Sequence, residues 1–423
     1  MSDYPAGQPA APIAYLTSEY PAVSHTFILR EVEALRALGR NVLTCSIRRT
    51  GPEHHRGPAE QAAVSDTYYI LEAATSFVGL LGGLGFALGR PRRLVAALGL
   101  AWRSRPPGLR ALLYQLLYLA EAMVLARHLH GQGVVHLHNH FGNASATVAM
   151  LAGALADIPF SYTLHGPVEL FEPKMLALAH KTAAARFVAC ISHFCRSQAM
   201  LFSDPAHWPK LRIIHCGVLP EAYDRPKTPP APDQLRLLFV GRLSPIKGVR
   251  ILIEALAHVQ RDHPGVTLTL VGDGEDRAIL EDLARPLGDA VTFAGFKSQE
   301  EVADALVAAD VLVLPSFAEG LPVVLMEALA SRTPVICTQL AGVGELVEHG
   351  VSGYIVPAGD AEGLAHAVSQ MAADPERRAS MGDAGRARVL AEFDIRDEAA
   401  RIAALFDGTG GTGPRPAPVS DVR

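Results

Sequence analysis

The chain has 423 residues, more than one ordinary core accommodates, so two or three domains are expected. Hydrophobic residues at 49% and charged residues at 19% describe a foldable, slightly apolar globular protein. A net charge of -5 and a pI near 6.4 lack the basic excess of a nucleic-acid-binding domain.

After Met1 to Ala11, rich in Pro and Ala and read as disordered, short β-type runs alternate with helical stretches, the pattern of a parallel sheet covered on both faces. Strands are expected at Ile13 to Thr17, Asn41 to Ile47, Val134 to Leu137, Phe160 to Leu164, Arg186 to Cys190 and Leu211 to Ile214. Helices are expected at Phe27 to Leu38, Tyr114 to His130, Ala144 to Ala156, Met175 to Ala185 and Arg196 to Phe202. The apolar tract Ala73 to Leu100 is cut by Arg90, Pro91, Arg92 and Arg93, and falls short of the roughly 20 apolar residues that a spanning helix needs. It reads as two short helices flanked by Arg90, Arg92, Arg93, Arg103, Arg105 and Arg110. Two roles stay open for them: a surface resting on anionic lipid, or an insertion packed on its own domain.

Proline-dense Tyr223 to Asp233 reads as an interdomain linker. Beyond it a second alternating series gives strands at Leu235 to Val240, Thr267 to Val271, Val291 to Phe293, Val311 to Leu314, Val335 to Thr338 and Gly353 to Val356. Helices follow at Val249 to Gln260, Glu275 to Leu283, Glu300 to Ala308 and after Pro322, then near Ala361 to Ala373, Pro375 to Phe393 and Arg396 to Leu405. The expected architecture is α/β: a Rossmann-like, doubly wound domain over 12–222 with a helical insertion near 73–130, and a second over 234–392. A helix at 393–406 is free to pack back on the first domain, and 407–423 reads as a disordered tail. Ligands of such sheets sit beyond the carboxyl ends of the strands, so both domains would offer loops to a cleft between them.

The five scattered cysteines, Cys45, Cys190, Cys195, Cys216 and Cys337, suit a reducing compartment and read as buried thiols. His136, His138 and His140 alternate and would share one face of a continuing strand, so a metal site must be weighed. No carboxylate is near in sequence, and His138 and His140 are read as hydrogen-bonding groups at a strand end, with no metal. His165-Gly166 repeats the pattern of strand, His, Gly, where either a ligand-facing or a core-capping histidine fits.

In the second half, strand Leu237 to Val240 runs into Gly241-Arg242-Leu243-Ser244-Pro245-Ile246-Lys247-Gly248, which opens a helix. Arg242, Lys247 and the helix N-terminus could together hold a diphosphate, or the two cations could simply be solvated. Gly272 and Gly274 allow either close approach of a ligand or a tight turn. In Ser316 to Ala330, Glu319 and Glu327 bracket Gly320-Leu321-Pro322, with Pro322 at a first helical position and Glu327 alone on an apolar helix. A buried carboxylate needs donors, which either the protein or sugar hydroxyls would supply.

Together these stretches resemble the retaining nucleotide-sugar glycosyltransferases of family 4, which have the GT-B architecture, over nearly the whole chain. Glu319-x7-Glu327 and Gly241-Arg242-Leu243 with Lys247-Gly248 carry the resemblance most specifically. Thr17-Ser18-Glu19-Tyr20-Pro21, Ser24-His25-Thr26-Phe27, Glu31 and His138-Asn139-His140-Phe141 look like the subset that builds exopolysaccharide, colanic-acid-like or capsular units. The resemblance implies that Arg242 and Lys247 bind the donor diphosphate, that Glu327 accepts from the ribose hydroxyls, and that Glu319 contacts the donor sugar. It further implies that the amides of Gly320 and Leu321 approach phosphate or sugar and that His165 sits by the transferred sugar; Gly272 and Gly274, read from their place after a strand, are kept as donor-binding candidates. Ser24, His25, His138 and His140 are the acceptor-side candidates. Many relatives carry a Gly-Gly pair in the first loop, where this chain has Tyr20-Pro21-Ala22-Val23-Ser24.

The implied reaction is transfer of a hexose from a UDP- or GDP-sugar, with no cofactor required, to a polyprenyl-diphosphate-linked saccharide or similar lipid-linked acceptor. The implied setting is cytoplasmic, peripheral on the inner face of the membrane. A UDP-sugar epimerase on the same fold, a phosphorylase and a non-catalytic nucleotide-sugar-binding scaffold subunit are the alternatives.

Overall fold

The computed structural model describes residues 11–409 apart from 56, 167, 228–229 and 232, and the side chains of all of these but 24 and 168. The stretches read as disordered, Met1 to Ala11 and 407–423, fall outside the described residues except at 11 and 407–409, as do 228, 229 and 232 of the expected linker. The chain divides into two compact units, one running to His215 and resuming at Arg396, the other spanning Cys216–Ile395.

The first unit holds β1 (Ile13–Glu19), β2 (Val42–Arg48), β3 (Thr67–Tyr69), β4 (His136–His140), β5 (Phe160–Leu164), β6 (Val188–Cys190) and β7 (Leu211–Ile213). They form one parallel sheet in the order β3-β2-β1-β4-β5-β6-β7, so the winding reverses between β1 and β4. The strand expected over Val134 to Leu137 instead runs His136–His140 with every residue buried. A central strand can hold that many polar groups because β5 supplies partners: Ser161 Oγ stands 2.7 Å from His136 Nε2 and 2.8 Å from His138 Nδ1.

Between β3 and β4 lie helices Ile70–Thr75, Phe77–Leu88, Pro91–Ser104 and Leu109–Gly131. The last begins five residues earlier than the expected Tyr114 and by length and composition alone could cross a membrane. Here it packs along Phe77–Leu88 and Ala144–Ala156, burying Leu119, Ala122, Leu125 and Leu129. The expected helix Met175 to Ala185 shortens to Leu178–Ala184. The expected helix Arg196 to Phe202 starts earlier, at His193, because Ser192 Oγ caps the Cys195 amide at 3.0 Å. The terminal helix Ile395–Asp407 lays Ala399, Ile402, Ala403 and Phe406 against Tyr15, Val32, Leu35 and Phe187. All five cysteines are buried.

The second unit holds β8 (Leu235–Val240), β9 (Val266–Val271), β10 (Val291–Gly295), β11 (Val311–Leu314), β12 (Val335–Thr338) and β13 (Gly353–Val356) in the order β10-β9-β8-β11-β12-β13. The pairs β8–β9, β11–β8 and β11–β12 are parallel, so β8 and β11 flank the point where the winding reverses, the position where such sheets bind ligands. Their side chains are almost wholly apolar, as a sheet buried on both faces requires.

Candidate functional site

In the second unit the loops that leave β8 and β11 are tied together before any side chain is considered. Phe317 N donates to Ile246 O at 2.8 Å, and Gly248, at φ +64°, passes so close to Pro315 that a Cβ there would stand 2.1 Å from its carbonyl oxygen. Only glycine fits that crossing. The turn Pro245–Lys247 then leads through Gly248 into helix Val249–Val259. Lys247 Nζ lies 2.6 Å from Glu319 Oε1, and Ser316 Oγ donates to the same oxygen at 2.7 Å. Ser316 is itself fixed, its carbonyl accepting from Thr338 Oγ1 at 2.6 Å. Lys247 and Glu319, predicted separately, are thus one half-buried ion pair at the winding reversal.

Arg242 does not join them. Its side chain is 72% exposed and reaches Glu275 at 3.0 Å, so the expected convergence of two cations is replaced by a single cation beside Glu319. The reason lies in how the β8 and β9 loops zip: Leu243 N donates to Asp273 O at 2.9 Å and Asp276 N to Leu243 O at 3.0 Å, which carries Glu275 alongside Arg242. The same zipper explains the glycines. A Cβ on Gly272, at φ +132°, would stand 1.9 Å from Gly241 O, and one on Gly274 would stand 2.3 Å from Leu243 O. Their requirement for glycine is met by loop packing.

Glu327 lies in helix Val323–Ala330, 8% exposed among fully buried neighbours. Pro322, expected as the first helical residue, is the N-cap in an extended conformation, and the helix starts at Val323. Leu321 is buried, and Gly320 O accepts from Gly342 N at 3.1 Å.

In the first unit the histidines gather where β4 and β5 end. His138, expected at a strand end, is interior and 0% exposed; its Nδ1 meets Ser161 Oγ and its Nε2 meets Thr163 Oγ1 at 2.9 Å. Both nitrogens are therefore taken by hydroxyls of the neighbouring strand, and His138 is not available as an acceptor-side group. His140 is equally buried and places Nδ1 3.1 Å from His165 Nε2. His165 lies between Phe27 and Phe141, with ring centroids 4.8 and 4.5 Å away. Phe141 adopts φ +73°, a strained conformation for an aromatic residue, held by its amide donating to Thr163 O at 2.9 Å. His25 lies in the turn Val23–His25 against Phe141 at 4.8 Å; Ser24 shares that turn, and its side chain is outside the described part.

The neutral form is favoured at His25, His136, His138 and His165. Burial lowers His25 to about 4 and His136 to about 3, and pushes His138 and His165 well below the ordinary imidazole value, with neighbouring histidines adding to the effect at His25, His138 and His165. Glu31, far away in sequence, supplies the carboxylate that the histidine spacing lacked: Glu31, His138 and His140 offer atoms within 4.8 Å of one another. His138, however, would have to surrender a hydroxyl partner to ligate a metal.

Two functional-looking residues escaped the sequence reading. Glu169 accepts from the amides of His165 at 2.7 Å and Gly166 at 3.0 Å, and also from Gly142, so one carboxylate fixes both strand-end loops. Burial raises its carboxyl to about 7 against those hydrogen bonds. Lys181 Nζ donates to Gly142 O and Asn143 O, each at 2.7 Å, and is lowered to about 7, again by burial. The Gly166-x2-Glu169 spacing is the one local cue, a short turn with a carboxylate reaching back to its start; for Lys181 no sequence signal exists.

Residues 221–388 match the family model described as glycosyl transferases group 1, so the second unit carries a group 1 glycosyltransferase domain. The chain is 33% identical over 212 residues to the amylovoran biosynthesis glycosyltransferase AmsK of Erwinia amylovora, covering 48% of this chain and 52% of that protein. It is 32% identical to the putative teichuronic acid biosynthesis glycosyltransferase TuaC of Bacillus subtilis, covering 61% of this chain and 66% of that one. The chain spans about half the length of the first curated relatives it matches. Among solved structures, Anabaena Alr3699/HepE in complex with UDP superposes with a TM-score of 0.70 at 19% identity, over 94% of this chain and all of that one. The fold is accordingly of the GT-B type, two Rossmann-like α/β units.

Proposed function

We propose that this chain is a retaining glycosyltransferase that moves a hexose from a UDP- or GDP-sugar to a lipid-linked saccharide in the synthesis of exopolysaccharide or another cell-surface polysaccharide. The observation that carries the reading is the Lys247–Glu319 pair at the winding reversal of the second unit, with Glu327 buried on the helix that follows. The departing nucleoside diphosphate develops negative charge. Lys247 and the first amides of Val249–Val259 are the positive groups available to stabilise it, and Glu319 sets where the ammonium points. Glu327 would take the ribose hydroxyls, Glu319 the donor sugar and His165 the transferred sugar, while the amides of Gly320 and Leu321 approach phosphate or sugar. Glu319 already accepts from Lys247 and Ser316, which suits a positioning role better than that of a covalent nucleophile. In this reading the acceptor attacks on the face the diphosphate leaves, and the leaving phosphate takes the acceptor's proton. The likeness to AmsK and TuaC, named for amylovoran and teichuronic acid biosynthesis, supports the polymer-building part of the reading.

Peripheral contact with the inner face of the membrane belongs to the same proposal. Phe77, Val78, Val95, Trp102, Leu109 and Leu113 are exposed on the helices between β3 and β4, which also expose Arg92, Arg103 and Arg110. Arg90 stacks on Phe86 and Arg93 pairs with Asp157, so these two are partly engaged within the unit. Flotation with phosphatidylglycerol vesicles should weaken when Arg92, Arg103 and Arg110 become glutamine. Equal flotation would remove the electrostatic part.

A donor screen that reads free UDP or GDP in the presence of a lipid-linked saccharide tests the activity. Glu327→Ala should abolish turnover while the protein stays folded; normal turnover in that variant would refute the assignment. Epimerised donor without nucleotide release would favour the epimerase alternative.

A further inference from the structure

Glu31 on helix Thr26–Ala37 is 6% exposed and lies beside His138 and His140 of β4, both 0% exposed. A carboxylate so placed needs donors or a cation. Tyr15 Oη supplies one donor, at 2.7 Å to Glu31 Oε1. His140 Nε2 stands 3.5 Å from the same oxygen, too far for a good hydrogen bond, and this nitrogen is buried without a hydrogen-bond partner. A buried polar atom left so costs free energy unless something else meets it. The 3.5 Å separation is close to the roughly 3.3–3.4 Å between two ligand atoms of a tetrahedral ion whose bonds are about 2.0–2.1 Å. His138 completes the group, since Glu31, His138 and His140 each offer an atom within 4.8 Å of the other two. Among the described residues no other three histidine, cysteine or carboxylate side chains converge in this way.

We propose that Glu31, His138 and His140 form a buried site for a divalent metal ion of the zinc type, with Glu31 Oε1, His140 Nε2 and one ring nitrogen of His138 as ligands. Two imidazoles and a carboxylate are a donor set that zinc takes readily. The site lies wholly within the first unit and does not depend on the transfer reaction proposed above. Each ligand already has an outer partner of the kind that orients metal ligands. Tyr15 Oη holds the carboxylate, and His140 Nδ1, 3.1 Å from His165 Nε2, has a ring to donate to once Nε2 is on the metal. His138 has Ser161 Oγ at Nδ1 and Thr163 Oγ1 at Nε2, so the ion displaces one hydroxyl while the other keeps the ring oriented. Where Nδ1 is the ligand, Ser161 Oγ keeps His136 Nε2 as a partner at 2.7 Å. The bound ion would tie helix Thr26–Ala37 to β4.

The test uses the full chain, stripped of metal with a chelator and titrated with Zn2+ by calorimetry and with Co2+ by visible absorption, whose bands report the ligand field. The wild type should bind one ion per chain at this site, and Zn2+ should raise its melting temperature. Tyr15→Phe, which removes only an outer partner, should weaken Zn2+ binding by about 10–100-fold, and His140→Gln should weaken it further and abolish the rise in melting temperature. Ser161→Ala and Thr163→Val each release one nitrogen of His138. One of the two should tighten Zn2+ binding by about tenfold, the scale of a hydrogen bond that no longer has to be displaced. Both variants keep all three ligands, so they decide the matter even if His140→Gln fails to fold. No binding by the wild type, undiminished binding by folded His140→Gln, or tighter binding in neither Ser161→Ala nor Thr163→Val overturns the proposal. Binding that persists in His140→Gln would belong to histidines elsewhere on the chain.

Discussion

The two units solve the same problem, placing polar groups where a doubly wound sheet reverses, in opposite ways. The second unit does it with short loops: Lys247 and Glu319 sit on segments tied by Phe317 N to Ile246 O and by the Gly248–Pro315 contact, and the ion pair stays partly open to water. The first unit does it with depth: His138, His140, His165, Glu31, Glu169 and Lys181 are all buried, and each is matched to partners on other elements. Charge is affordable near the surface, whereas in the interior it is suppressed, so the first unit runs on neutral rings and hydrogen bonds.

That contrast can be broken by measurement. Lys247→Ala should cost the largest effect, about 10²–10³-fold in nucleotide release, as loss of one preorganised donor to a developing anion does; a loss below tenfold would mean the charge is borne elsewhere. Gly272→Ala should destabilise the second unit by about 1–3 kcal/mol, since a Cβ 1.9 Å from Gly241 O forces the loop zipper apart. A denaturation curve in which that unit is unaffected would show that the loop yields freely.

The first unit should instead be the acid-sensitive one. His25, His136, His138 and His165 have folded-state values depressed below the ordinary 6.5. The unfolded chain therefore binds more protons below that pH, and the stability these rings contribute is complete above about 6.5 and lost as pH falls toward about 4 at His25 and about 3 at His136. Each fully neutral ring contributes up to about 1.4 kcal/mol per pH unit in that window. Tryptophan cannot report this cleanly, because Trp102 and Trp208 both lie outside the ring cluster, so hydrogen exchange of β4 and β5 is the readout. Flat protection between pH 7 and 5 would contradict it. Smallest of all, Arg242→Ala should leave the melting temperature unchanged, because the Arg242–Glu275 pair is exposed on both sides. Its effect on donor binding then measures whether a phosphate draws Arg242 away from Glu275.

Legibility followed the same divide. Lys247, Glu319 and Glu327 could be singled out because each lies at a turn or on a helix whose pattern is local: a strand, a glycine, a proline, then an apolar run with one carboxylate. Arg242 was placed on the right loop, but its partner depended on how the β9 loop folds over it. The histidines of β4 showed their alternation, yet His138 turned out to be satisfied by Ser161 and Thr163, a pairing that exists only once β4 and β5 are in register. Glu169 had only the weak local cue of its spacing from Gly166, and Lys181 could not be read at all, since nothing near it in the chain marks it.

The amino-acid sequence by itself determined the two alternating α/β series and the loops that bear Lys247 and Glu319, because hydrophobic periodicity and turn chemistry act over a few residues; the division between the units falls instead at His215–Cys216 and Ile395–Arg396, which leaves the proline-dense stretch Tyr223 to Asp233 inside the second unit. Tertiary structure alone decided which polar atoms meet: that Glu31 lies under His140, that His140 faces His165, and that Glu169 bridges two loops. Those contacts join residues from separate strands and helices, and the direction and burial of a side chain are fixed only when the elements pack.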